Sequence, residues 1–100
     1  MFVRKDLSYS QICVQSIHAV IEHCKNFSPY ENVHPNVIVF ELENEESLIL
    51  EMNKLASKGI ELIPFREPDI ENSLTSFACK TVSGSARKTF SKYKLLGEKK

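Results

Sequence analysis

Three short runs of β-branched and aromatic residues alternate with two helical periods in the first 65 residues, and no other feature restricts the fold as tightly. The runs are residues 1–4 (MFVR), 37–42 (VIVFEL) and 60–65 (IELIPF). A helix between two strands returns the chain to the end of the sheet it left, so these three strands are expected to run parallel. The link over residues 66–73 is too short for another crossover and sends LTSFACKT, residues 74–81, back antiparallel. A last helix from residues 83–85 to about Tyr93 completes the order strand-helix-strand-helix-strand-strand-helix. The expectation is one α/β domain, a mixed four-stranded sheet with helices packed on both faces.

The helix ends are written in capping residues. Ser8 and Gln11 have the S-x-x-Q spacing of a capping box, which starts the first helix at Tyr9 and carries it to about Lys25. On that helix Gln11, Gln15, His18 and Glu22 fall within an arc of roughly 60°. Cys13, Ile17, Val20 and Cys24 fall opposite and are expected to be the core face. Asn44 caps a second helix, Glu45 and Glu46 suit its positive end, and Leu48, Met52 and Leu55 form its inward stripe before Lys58 and Gly59 stop it. The run at residues 37–42 reads as a buried central strand, and Pro64 places the third strand at an edge or marks its end. Residues 26–36 read as a surface loop. Leu95 and Leu96 dock before a basic, mobile tail at residues 97–100.

At 100 residues there is room for one core, so any site must share the scaffold that holds it. No apolar run reaches the roughly 18 residues of a membrane span and no signal-like start is present, which points to a cytoplasmic protein. Cys13, Cys24 and Cys79 are widely spaced without a C-x-x-C pair, and read as small buried hydrophobes rather than a disulfide framework or zinc site. The net charge of zero conceals an asymmetry: residues 1–79 hold six Lys/Arg against twelve Asp/Glu, and residues 80–100 hold seven against one. That basic end, including Arg87 and Lys88, can present a surface to phosphates or simply solvate the last segment.

The expected topology gathers Asp6, Gln11, Gln15 and His18 with Arg66, Glu67, Asp69 and Thr75 at the sheet edge where open α/β folds bind ligands. Each also has an ordinary role: Gln11 in the capping box, Asp6 in a turn, Arg66 paired with a neighbouring carboxylate, Thr75 as a strand former. No nucleophile elbow, phosphate loop, dinucleotide fingerprint or metal-spaced histidine pair is present, so the chemistry to expect needs neither metal nor cofactor.

Together "VRKDL", "QICVQSIHA" and "PFREPDIENSLTSFA" resemble the type 2 peptidyl-tRNA hydrolase family, particularly its shorter bacterial and phage-like branch, over nearly the whole chain and in the same segment order. Arg4, Asp6, Leu7, Gln15, His18, Ala19 and Thr75 match the family pattern. Gln11 stands where the family has a lysine, the turn before the helix is shorter, and the family's Arg-Asp-Ala-Gly loop is here Arg66, Glu67, Pro68 and Asp69. The resemblance implies hydrolysis of the ester between a peptide and the tRNA 3′ end. Gln15, His18, Glu67, Asp69 and Thr75 would be catalytic, and Asp6, Gln11, Arg66, Arg87 and Lys88 would hold peptidyl-tRNA. A weakened hydrolase fold that binds tRNA or a protein partner is the alternative, because an amide cannot supply the charge of an ammonium. An enzyme of another small ester or amide, and a homodimer through the polar helix face or Leu95 and Leu96, stay open.

Overall fold

The structure is a computed structural model and describes residues 1–27, 37–80, 82 and 84–98. Its elements are β1 (Phe2–Arg4), α1 (Tyr9–Asn26), β2 (Phe40–Leu42), α2 (Glu45–Ser57), β3 (Leu62–Glu67) and β4 (Ser73–Cys79), with 3-10 turns at Pro68–Ile70 and Gly84–Phe90. The four strands form one sheet in the order β2-β1-β4-β3. β1 pairs parallel with β2, while β4 pairs antiparallel with both β1 and β3. The first three strands therefore share one direction and the fourth opposes them, as the alternation of runs requires. β3 lies at an edge, where Pro64 costs no ladder bond to a further strand.

α2 and α1 cover opposite faces. On the α2 side Phe2, Phe40, Leu48, Leu55, Leu74 and Phe77 form the apolar core. Phe2 stacks on Phe77 with centroids 4.7 Å apart and meets the edge of Tyr93 at 4.7 Å. The helix above them starts where Asn44 Oδ1 accepts the Ser47 N–H at 3.0 Å. It ends in a Schellman turn: Gly59 adopts φ +82°, its N–H donates to the Ala56 carbonyl at 3.0 Å and the Ile60 N–H to that of Leu55 at 3.2 Å.

Three sequence expectations are corrected. The last segment is a 3-10 turn over Gly84–Phe90 rather than an α-helix, in keeping with its Gly, Ser and Thr content. The run at residues 37–42 is neither central nor wholly a strand: β2 has three residues at the sheet margin, with Val37 and Ile38 exposed. The C-terminal segment covers that margin, the Glu41 N–H donating to the Lys94 carbonyl at 3.0 Å and the Leu96 N–H to that of Val39 at 2.9 Å. Glu41 reinforces the cover by accepting the Gly97 N–H at 2.9 Å. Burial alone would push the Glu41 carboxyl up, but Gly97, Lys5 and Lys94 outweigh it and hold the group below the usual carboxylate range.

The third correction concerns the phase of α1. Its buried residues are Ile12, Gln15, Ala19 and His23, whereas Ile17 is 60% exposed and Cys13 and Cys24 face solvent with Val14 and Ile21. Cys79 alone of the cysteines is half-buried, and burial pushes its thiol up to about 11. Ala19, wholly buried, lets the helix lie close to the sheet. Residues 28–36 of the expected loop and Lys99 and Lys100 of the expected tail lie outside the described residues.

Candidate functional site

The polar side of α1 packs on the sheet because the strands supply partners for it. Gln15 is wholly buried, and both polar atoms of its amide group are hydrogen-bonded. Its Nε2 donates to Gln11 Oε1 and to Glu67 Oε2, each at 3.0 Å, while its Oε1 accepts from Thr75 Oγ1 at 2.7 Å. The Gln15 carbonyl also accepts from Ser76 Oγ at 2.9 Å. A buried amide left unpaired would cost about 1–3 kcal/mol, so this set of partners fixes both its depth and its rotamer.

Thr75 and Ser76 are neighbours on β4, and in a regular strand they would point to opposite faces. Between Phe65 and Arg66 on β3 the pairing on β4 moves from Ser76 to Leu74, which leaves Thr75 as the extra residue of a β-bulge. The bulge turns both hydroxyls toward α1. Its loosened backbone is held by side chains: the Leu74 N–H donates to Glu45 Oε2 at 2.6 Å, and the Leu74 carbonyl accepts from Arg4 Nη1 at 3.4 Å. Arg4 is itself fixed by Asp6, through contacts of 2.8 and 2.9 Å, and this pairing holds the Asp6 carboxyl below its ordinary range.

Glu67 links this buried group to the surface. Besides Gln15 it accepts the Asp69 N–H at 3.2 Å, and those two donors, with a smaller contribution from His18, hold its carboxyl below the usual carboxylate range. His18 Nε2 lies 4.0 Å from Glu67 Oε2, with the His18 side chain 39% exposed. The imidazole is stacked on Phe65, centroids 4.4 Å apart and planes inclined by 10°. The outcome is an ionised carboxylate anchored from below by an amide, with an accessible imidazole beside it and an aromatic ring limiting that imidazole's rotation.

Of the expected site residues, Gln11, Gln15, His18, Glu67 and Thr75 are brought together. Gln11 does not complete a capping box with its side chain: its N–H is capped by Ser8 Oγ at 3.3 Å, and its Oε1 receives Gln15. Asp69 joins only through its backbone N–H, its side chain being exposed. Arg66 turns away to the Asn72 carbonyl at 3.2 Å instead of pairing with either acid. Asp6 reaches the site only through Arg4 and Leu74, and Arg87 and Lys88 lie on the separate 3-10 turn. Sequence reasoning missed Phe65, Ser76 and Glu45. Phe65 read as one more apolar strand residue, and the roles of Ser76 and Glu45 depend on a bulge that has no residue signature here.

The fold and this edge define a small mixed α/β domain with an amide, carboxylate and imidazole cluster at the strand ends. No protein-family model matches the sequence, and no characterised protein matches it at a significant level. No helix among the described residues is long and apolar enough to cross a membrane.

Proposed function

We propose that this chain is a peptidyl-tRNA hydrolase-like enzyme, cleaving the ester between a peptide and the tRNA 3′ end without metal or cofactor, alongside translation in the cytoplasm. The observation that carries the reading is the cluster of Gln15, Glu67, His18 and Thr75, the positions at which the sequence resembles that family or its loop. A carboxylate held below its ordinary range is a poor proton acceptor, which gives Glu67 the role of orienting and leaves the proton to His18. In the proposed step His18 takes a proton from water while the oxygen bonds to the ester carbonyl carbon. The bond to the ribose 3′ oxygen then breaks, and His18 returns the proton to that oxygen. Gln15 and Thr75 are positioning residues, setting Glu67 from beneath.

A second reading, tRNA or protein binding without turnover, is favoured by Gln11. The family's lysine charge is absent there, and the Gln11 amide oxygen is already committed to Gln15. The test is release of deacylated tRNA from N-blocked aminoacyl-tRNA, comparing the wild type with His18→Ala and Glu67→Gln. The hydrolase reading expects turnover that falls at least about a hundredfold in His18→Ala, within the usual contribution of a general base. Binding without release by the folded wild type would leave the second reading.

A further inference from the structure

The described cations divide sharply by whether a carboxylate neutralises them. Arg4 pairs with Asp6, Lys5 with Glu41 and Glu43, Lys25 with Glu22, Lys80 with Glu61, and Lys94 with Glu41. Two members of the basic C-terminal run, Lys80 and Lys94, are thereby removed as free charges. Arg66 is engaged with a backbone carbonyl on β3's side. Among the described residues, Lys54, Lys58, Arg87, Lys88 and Lys92 have no carboxylate oxygen within 4.0 Å.

Lys54, Lys58 and Lys92 meet at the C-terminal end of α2, and Arg87 and Lys88 lie on a turn packed on the same side of the sheet. Lys54 lies in the last turn of α2 and Lys58 is its C-cap. Lys92 stands next to Tyr93, its ammonium 5.4 Å from the ring centre, and Tyr93 packs into the same core as α2. Arg87 and Lys88 sit on the 3-10 turn that Phe90 anchors against Phe2 and Phe40, at 6.2 Å from each ring. Lysines at a helix C-terminus complement its dipole, which accounts for Lys54 and Lys58 alone. It gives no reason for a third ammonium, from a distant part of the chain, to crowd them. Lys54 first, then desolvation, and to a lesser extent Lys58 hold Lys92 below its ordinary range, against a smaller opposing pull from Glu51. Glu51 is the acid among the described residues that acts on Lys92, and its Oε2 also accepts the Tyr93 hydroxyl at 2.6 Å. Repulsion between converging ammonium groups is relieved when an anion sits among them.

We infer that Lys54, Lys58 and Lys92, extended by Arg87 and Lys88, form a phosphate-binding surface for an RNA backbone on the α2 face, opposite the Gln15 and Glu67 site. The choice of RNA as the polyanion rests on the proposed hydrolase reading. The position of the patch has a consequence for how tRNA lies: its phosphates grip one face while its 3′ end passes around the sheet edge to the other. Such contacts carry little sequence preference and a strong dependence on salt.

The experiment is fluorescence anisotropy of labelled deacylated tRNA across about 50 to 200 mM salt, with turnover measured separately on N-blocked aminoacyl-tRNA. Lys54→Gln/Lys58→Gln is compared with Lys25→Gln/Lys80→Gln, which removes the same net charge from elsewhere. The first pair is expected to weaken binding at low salt at least about tenfold and to flatten the log–log salt slope by about 2, roughly one per phosphate contact. Lys54→Arg/Lys58→Arg should retain binding. Equal effects of the two Gln pairs would overturn the inference, as would binding to phosphatidylserine vesicles without binding to tRNA. Loss of tRNA binding confined to the first pair, in a protein without turnover, supports the patch and removes only the hydrolase reading. Turnover with tRNA binding unchanged in that pair removes only the patch.

Discussion

The two faces of the sheet are held by opposite chemistry. Beneath α2, Phe2, Phe77, Leu48 and Leu55 exclude water with no polar atom among their side chains. Beneath α1, Ile12 and Ala19 pack beside a polar contact of Gln15 against Thr75 and Ser76, with Glu67 at its rim, while Val14, Ile17 and Ile21 point to solvent. Apolar burial contributes roughly 25 cal/mol per Å2 and tolerates inexact fit, whereas a buried amide is neutral at best unless every partner is in place. A helix that buries Gln15 and exposes Ile17 and Ile21 gives up stability that burying those two isoleucines would supply. The proposed function would give such an arrangement its use, since polar networks fix the position of a reacting group more narrowly than apolar packing does.

Substitutions can break this contrast from either side. The largest effect is expected on the α2 face: Leu55→Ala or Leu48→Ala, both at wholly buried positions, should cost about 2–5 kcal/mol in urea unfolding and lower activity only through the folded fraction. On the α1 face Gln15→Leu should cost about 1–3 kcal/mol, because the buried Thr75 hydroxyl loses its 2.7 Å acceptor and keeps only the Phe65 carbonyl at 3.4 Å. Adding Thr75→Val to Gln15→Leu should recover most of that loss. If the double variant is as unstable as the sum of the singles, the network is structural in its own right.

Smaller effects sharpen the picture. Tyr93→Phe removes the hydroxyl that Glu51 accepts and should cost about 1 kcal/mol by the same unfolding measurement. Burial and Glu51 both push the Tyr93 phenol up, so its ultraviolet titration should begin later than that of free tyrosine. Acid should act on the α1 face through Glu67. Its folded carboxyl titrates below the unfolded one, so its stabilisation is present above the ordinary carboxylate range and is lost as pH falls through the lowered value. Glu67→Gln should flatten the acid limb of stability against pH. His23 acts in the same direction at higher pH: burial pushes its imidazole down, so stability should begin to fall as pH drops below the ordinary histidine range.

What could be read in the sequence follows the range of each interaction. Ser8 and Asn44 cap their helices as their spacing indicates, Lys58 and Gly59 close α2, and Pro64 lies on an edge strand, because each of these is decided within a few residues. The directions of the strands follow from their connections alone. The phase of α1 was not legible, since Cys13, Ile17 and Cys24 have the periodicity of a core stripe and only the partners on β3 and β4 turn the other side inward. Nor was the short β2, whose outer edge is covered by residues 94–97 from the far end of the chain. Gln15, His18, Glu67 and Thr75 could be gathered from topology, but the bulge at Thr75 that aligns two successive hydroxyls could not.

The polar contact under α1 is proposed to serve chemistry and to be dispensable for folding. Release of deacylated tRNA from N-blocked aminoacyl-tRNA by Gln15→Leu/Thr75→Val, beside the wild type, tests it most directly. The expected result is measurable turnover in the wild type and at least a hundredfold less in a double variant whose stability stays within about 1 kcal/mol. Wild-type turnover preserved in the double variant would contradict the claim, and so would a folded wild type with no turnover at all.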